Sequence, residues 1–575
     1  MKKLLSLTLC LAVLMLGMMP ALAESGIQDG TYSYTMGGHN GDVTVTLTIE
    51  GGKIADAQQE SIETQGIGTV AWDIVRDSLV NDQSLNVDAV AGATVSRAVF
   101  TYAAQQCLEQ AGANLDDFKP EKPEHTPEEI AVDTDVLVVG SGIAGLTAAI
   151  ETANGGLKVL LVEKLTVLGG ASIRCDGLYY SAGNPIQQAM GIEDSADQMY
   201  EDAVALFASE LVDPEIIRVW ADKSAAGFDF LTEQGVEWAD FVFPYRAIHA
   251  PRVSSVPGAG AAMVSAVIAQ AKANDNITII NNTAVTELIQ GEDKAVTGAK
   301  AVATNGDTYT INAKAVVLAT GGFAHNPEMV TEHGEPMVAT TAYTNPNMGD
   351  GYKLAESVGA KMQDSPDSIT MYVDNESGKA MIGAVNPELF IVNPEGERFA
   401  NGALTANDLA HEALIRGYEH TVAIFDQAEF DALADVFAPE LEKGACVTGA
   451  TPAELAAQLD INPDTLTATI ERYNALCDAG EDEDFGRPAE LLKKLEGTLY
   501  AITLEPNTYE SFSGPQINAS AQVIDVDGSP IPGLYAAGGI TMWQVTDYHY
   551  MGCGSSINNA VVFGMTAADS ILANQ

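Results

Sequence analysis

The chain is poor in metal-holding residues and in positive charge. It has 6 Cys and 8 His in 575 residues. No Cys-x-x-Cys pair, no Cys-x-x-Cys-His and no His-Glu-x-x-His occurs, so a structural zinc, an attached haem and a zinc-hydrolase centre all lack ligands at the required spacing. Cys10 falls in the first residues, which leaves Cys107, Cys175, Cys446, Cys477 and Cys553 scattered and odd in number, unlike a disulfide framework. Any electrons this chain moves must travel on organic cofactors. Lys and Arg number 28 against 79 Asp and Glu, a formal charge of −51. A surface of that sign repels nucleic acid and anionic lipid and favours solubility. Charged residues are 19% and hydrophobic ones 46%, ordinary for a globular protein, and the length calls for two or three domains.

A long apolar run occurs only at the start. Lys2 and Lys3 precede Leu4 to Leu16, and Ala21-Leu22-Ala23 fits a cleavage site before Glu24. Residues 1–23 therefore read as a removable leader, and the protein as exported to the periplasm, cell envelope or exterior.

Residues 24–118 read as a small α+β domain. Val43 to Ile49 alternates Thr with apolar residues, Gly51-Gly52 turns, and Lys53 to Gln58 returns as a hairpin partner. Helices are expected over Val70–Leu79 and Val95–Leu108. Just before the second lies Asp88-Ala-Val-Ala-Gly-Ala-Thr94, a glycine turn at a helix N-terminus. Free N–H groups there suit a phosphate, and a plain capped turn satisfies the same residues. The segment resembles the D-x-x-[ST]-G-A-T motif of bacterial FMN-binding domains, with Ala91 where Ser or Thr is usual. The resemblance implies that a flavin transferase links FMN through its phosphate to Thr94. Residues 119–131, with Pro120, Pro123 and Pro127, read as a linker.

From residue 132 the pattern changes to strand, glycine turn, helix, strand. Asp135 to Val139 is a buried-type strand, Gly140-x-Gly142-x-Ala144-Gly145 opens a helix, and Val159 to Val162 ends at Glu163. Glycines at those places allow the backbone to approach a pyrophosphate, and the acidic residue meets a ribose hydroxyl. Glu163-Lys164 followed by Gly169-Gly170-Ala171-Ser172 and Gly177 resembles the fumarate reductase and succinate dehydrogenase flavoproteins. Ala315 to Phe323, with Thr320, Gly321 and Gly322, continues the likeness. So do Asp350 and Gly351, and Pro532 to Gly539, with Gly538 in place and Gly539 where that family has Glu. The resemblance implies non-covalent FAD held by these residues together with Val285, Ser555, Ser556 and Ile557. It implies an α/β fold (α+β overall): a Rossmann-like FAD-binding domain over 132–364 and 505–575, with an inserted capping domain over 365–504.

The substrate residues depart from that family. N-P-E-G-E-R-F at Asn393 to Phe399 matches its V-N-x-x-G-x-R-F, which places its proton-donating Arg at Ala406. Its relay Arg and Glu fall near Val385 and Ile382, its two His near Met371 and Glu510, and its last Arg near Tyr550 or Met551. A dicarboxylate would lie unpaired in such a site, so fumarate is excluded as substrate. Tyr550-Met-Gly-Cys-Gly554 resembles the Y-x-G-x-G turn of 3-ketosteroid dehydrogenases. That likeness implies that the Tyr550 hydroxyl and the Gly554 N–H grip a carbonyl oxygen. A plain glycine turn with Tyr550 as packing satisfies the same residues. Tyr372 is the candidate proton donor, with Tyr343, Tyr509 and Tyr548 behind it. Arg246, His249 and Arg252 border a substrate channel, contact the FAD or stand as solvated charge.

The whole chain is similar to exported flavin reductases of anaerobic respiration. The first expectation is an enzyme passing electrons from FMN to FAD and as hydride to a C=C bond conjugated to a carbonyl, an enone of ketosteroid type. Alternatives are an unsaturated monocarboxylate of urocanate or cinnamate type, which an Arg facing the flavin would mark, a sulfoxide, and an electron carrier with a degenerate site. The partners implied are a small-molecule acceptor, a flavin transferase and an external electron donor.

Overall fold

A computed structural model describes residues 26–121, 124–207, 209–245, 249–334, 337, 347–373 and 390–574. The leader expected at residues 1–23 lies outside them, as do Tyr343, Arg246, Ile382 and Val385. The chain forms two compact units that divide between Glu124 and His125.

In the first unit, β1 (Gly30–Gly37), β2 (Asp42–Glu50) and β3 (Lys53–Glu60) form an antiparallel meander. The period-two pattern of β2 puts Val43, Val45, Leu47 and Ile49 in the core. Its threonines face outward, where Thr44 and Thr46 bond Thr35 and Ser33 of β1. Helices α1 (Gly68–Val80) and α2 (Thr94–Gln110) cover the apolar face, with Trp72 against Phe100 at 5.2 Å between ring centroids.

The second unit opens with β4 (Glu129–Val139), α3 (Ile143–Asn154) and β5 (Val159–Val162). Strands β6 (Ile277–Ile280), β7 (Thr283–Gln290), β8 (Val296–Ala303) and β9 (Thr308–Leu318) follow, then helix α4 (Asp350–Ser357). A cap comes next: β10 (Ser368–Val373), β11 (Phe390–Val392), α5 (Ala406–Ile415), β12 (Thr421–Asp426), β13 (Cys446–Gly449) and β14 (Leu499–Ser511). The chain then returns through β15 (Gln522–Ile524), β16 (Pro530–Ala536) and α6 (Ser555–Ala573).

Strands β9, β4, β5 and β6 lie side by side in parallel, with β16 also parallel to the end of β9, in an eight-stranded sheet. Their apolar runs suit a sheet buried on both faces. Helices α3 and α6 pack closely because Gly564 lacks a Cβ that would lie 2.7 Å from the Ala144 carbonyl oxygen. The cap has its own five-stranded sheet. Its spine is β14, whose first half pairs with β12 and β13 and whose second half pairs with β10. Arg398 grips Asp482 with both ends of its guanidinium, at 3.0 and 2.6 Å, inside this cap.

Two boundaries differ from the sequence reading. β4 begins at Glu129, inside the stretch taken as linker to residue 131, because Glu129 already pairs with Thr308. The division between cap and FAD domain at 504/505 falls in the middle of β14, which crosses it without a break.

Candidate active site

β4 delivers the chain into a tight turn at Gly140, φ +102°, where a Cβ would lie 2.4 Å from the Ala319 carbonyl oxygen. Gly142 caps α3, and the nearest atom to a Cβ there is Ser172 Oγ, at 3.7 Å. The α3 N-terminus is therefore open to a ligand. Glu163, at the end of β5, accepts from Ser141 N–H at 3.0 Å, Ser141 Oγ at 2.6 Å and Leu165 N–H at 2.9 Å. Lys164 pairs with Asp350 at the start of α4.

These residues border a cleft enclosing about 880 Å³, with Ala144, Gly170, Ala171, Ser172, Val285, Thr320, Gly321, Gly538, Gly539, Ser556 and Ile557. The other expected contacts stand behind it. A Cβ on Gly145 would lie 2.0 Å from the Gly140 oxygen, one on Gly177 2.4 Å from the Ala259 backbone, and one on Gly351 1.9 Å from Thr320 Oγ1. Gly169 donates to Ser141 Oγ at 3.0 Å, Gly322 donates to Glu510 at 3.1 Å, and Ser555 is buried. Asn347 and Glu510 line the cleft and were not anticipated as cofactor contacts. The donor set fits FAD: helix N–H groups for the diphosphate and a carboxylate for paired hydroxyls.

A second cavity, enclosing about 1060 Å³, shares Ala171, Ser172, Glu510, Ser556 and Ile557 with the cleft. Arg174, Cys175, Asp176, Leu178, Ile369, Tyr509, Tyr550, Cys553 and Gly554 complete it. Tyr550 and Gly554 both line this cavity. Tyr550 has φ +32°, a left-handed backbone rarely held by a bulky residue. Packing against Phe512, Met542 and Trp543 holds it, and its hydroxyl accepts the Ser556 N–H at 3.1 Å. Gly554 caps α6 at φ +90°, and a Cβ there would lie 2.6 Å from Tyr179 N.

Arg174 is the only cation among the described residues lining this cavity. Its Nη1 donates to the Gly170 carbonyl at 2.7 Å, and burial pulls its pKa below the usual arginine range. Burial pushes Glu510 up to about 7 against the opposing pull of Gly322 N–H and Asn347 Nδ2. It also lifts the Cys175 thiol to about 11 and the Cys553 thiol to about 12, so both stay protonated.

Other expected residues stand elsewhere. Tyr372 lies on β10 opposite Pro506, with its side chain outside the described part. Tyr548 is stacked between His411 and His549, at 4.0 Å from each. Arg252 faces neither channel nor solvent: Asp194, Asp202 and the Tyr180 hydroxyl hold its side chain at 0% exposure. His249 pairs with that same Asp202. Ala406 is the buried first residue of α5.

In the first unit, Thr94 is the first residue of α2, its side chain exposed after the Gly92 turn at φ +98°. Arg97 braces the turn by donating from Nε to the Asp88 carbonyl at 3.1 Å.

A family model described as FAD binding domain matches residues 135–557, and one described as FMN-binding domain matches residues 38–109. The chain is 32% identical to a urocanate reductase of Eggerthella lenta, covering 93% of this chain and 90% of that protein. It is similar to the open conformation of a flavocytochrome c3 fumarate reductase, with a TM-score of 0.62, 27% identity and coverage of 80% and 83%. A 3-ketosteroid-Δ4-(5α)-dehydrogenase of Rhodococcus jostii shares the fold, with a TM-score of 0.64, 22% identity and coverage of 77% and 97%.

Proposed function

We propose, from the premise that this chain belongs to the fumarate reductase-type FAD flavoproteins and carries FAD and FMN domains, that it reduces the C=C bond of an unsaturated monocarboxylic acid bearing an aromatic or heteroaromatic ring. It is an oxidoreductase of the group acting on C=C bonds of unsaturated acids. The observation that carries the finer reading is Arg174, the one cation among the described residues lining the cavity beside Tyr550 and the α6 N-terminus.

Bound FAD, once reduced, supplies a hydride to the substrate. The chain's own groups do the rest. Arg174 takes the carboxylate as a fork. Tyr550 hydroxyl and the α6 N-terminus stabilise charge as it gathers on the carboxyl oxygens. Leu178, Ile369 and Ile557 give the ring an apolar wall. Burial keeps Glu510 protonated to higher pH than a free carboxyl, so the cavity wall holds a proton near neutrality. Thr94 would hold FMN, which would supply the entry for electrons, and export by the leader belongs to the same reading.

An uncharged enone is the second reading, favoured by the convergence of Tyr550 and Gly554 on one cavity. Anaerobically photoreduced protein, mixed with urocanate, cinnamate, fumarate and a ketosteroid enone, decides between them. Urocanate or cinnamate is expected to reoxidise the flavin, and fumarate to fail for want of a second cationic clamp. Reoxidation by the enone alone would transfer the function to the second reading.

A further inference from the structure

Glu510 belongs to the cap by its strand and to the cofactor cleft by its carboxyl. It is the next-to-last residue of β14. It reaches the turn after β9, where Gly322 N–H donates to Oε1 at 3.1 Å, and Asn347, just before α4, donates from Nδ2 to both oxygens at 3.2 Å. On its other side stands Gly539, after β16. A Cβ built on Gly539 would lie 2.5 Å from Glu510 Oε1, 2.7 Å from Cδ and 3.0 Å from Oε2, and these are its nearest neighbours.

The backbone does not ask for glycine at 539. Gly538 needs it, at φ +85°, whereas Gly539 lies outside the left-handed region. The three atoms nearest to a side chain at 539 all belong to the Glu510 carboxyl. The P-G-L-Y-A-A-G-x turn resembles one that carries Glu at this last position, and here that position is Gly539.

We infer that Glu510 and Gly539 are a matched exchange. The carboxyl missing at 539 is delivered into the same space from β14, where it accepts a hydrogen bond from a hydroxyl or N–H of bound FAD. Oε2, which takes the Asn347 donor and no other among the described residues, has acceptor capacity for it. Glu510 is thus a cofactor-positioning residue that ties the cap's spine strand to the flavin. No substrate enters this inference, so it stands or falls apart from the acid-reductase reading.

The test is calorimetric titration of FAD into full-length apoprotein carrying Glu510→Ala, Glu510→Gln, Gly539→Glu or Glu510→Ala with Gly539→Glu. Loss of one hydrogen bond to a carboxyl oxygen corresponds to a dissociation constant weaker by roughly threefold to tenfold when Glu510 is protonated, and by up to about a hundredfold when it is ionised. That loss is expected for Glu510→Ala, with a smaller one for the isosteric Gln. Gly539→Glu should also weaken FAD by crowding Glu510. The double variant should bind better than either parent. A merely structural Glu510 would show the opposite pattern: apoprotein melting would drop in Glu510→Ala, and the double variant would be as weak as the worse single. Wild-type FAD affinity in Glu510→Ala and Glu510→Gln, or no recovery in the double variant, overturns the exchange.

Discussion

A guanidinium turned into a largely apolar cavity gains most from an anion placed on its fork. For Arg174 the proposed anion is the substrate carboxylate. Arg174→Ala should lower kcat/KM for the acid acceptor by roughly 10²- to 10³-fold, about what truncating one side of an enclosed charge pair costs. Arg174→Lys should recover only part of it, because an ammonium cannot bind both oxygens in one plane. Stopped-flow reoxidation against substrate concentration measures both, and equal values for Ala and wild type would remove the carboxylate anchor. Glu510 gives a second expectation, read in the apoprotein. Its pKa is raised from 4.5 to about 7 by burial, so the fold favours the protonated form. Its contribution to stability is therefore whole below about pH 4.5 and is lost as the pH rises through 7. Melting temperature should decline across that window more steeply in wild type than in Glu510→Gln, and parallel profiles would contradict it. Gly140, Gly142 and Glu163 were legible in the sequence because a phosphate turn dictates their spacing. Arg174 was within reach, since it lies between Ser172 and Gly177 of the same motif. Glu510 was placed only by alignment, because its meaning arises from contact with Gly322, Asn347 and Gly539, all distant along the chain.

Elements with one dominant signal were the readable ones. The apolar run of β5 and the alternation of β2 match the structure almost to the residue. β1 was not anticipated: Gly30–Gly37 is mostly polar and turns no face fully into the core. The cap was read as one block, and its internal order depends on pairings across long separations, such as β10 with β14. Inside it, Arg398 is clamped by Asp482 and lies over the rings of Tyr473 and Phe485. The guanidinium pulls Asp482 down to about 2 against the burial that pushes it up. Arg398→Ala leaves that carboxylate enclosed and unpaired, which typically costs roughly 3–5 kcal/mol. The expected result is earlier unfolding of the cap in urea and faster proteolysis within residues 390–500. An unchanged urea midpoint would show the pair to be dispensable. At the start of α2, Thr94→Ala should abolish covalent flavin. Denatured protein made with a flavin transferase should fluoresce in a gel as wild type and be dark as the variant, and equal fluorescence would place the attachment elsewhere.

For the whole molecule, a formal charge of −51 should act on electron donors before any specific contact does. A cationic one-electron donor such as methyl viologen radical should reduce the flavins fastest at low salt. Its rate should fall by roughly tenfold or more toward molar salt, as the screening length shrinks from tens of ångströms to about 3 Å. Dithionite, an anion, should show the reverse trend, and salt-independent rates for both would mean that donors arrive at a locally neutral patch. The continuity of β14 bears on how such proteins diversify. Recombination that exchanged caps between relatives at residue 504 would cut the spine strand in two, and a crossover between Ser511 and Gly539 would part Glu510 from the glycine matched to it. Viable crossovers should lie beyond Gly539, so that strand and turn are inherited together. The cap is less a detachable module than a part whose last strand is co-inherited with the floor beneath it.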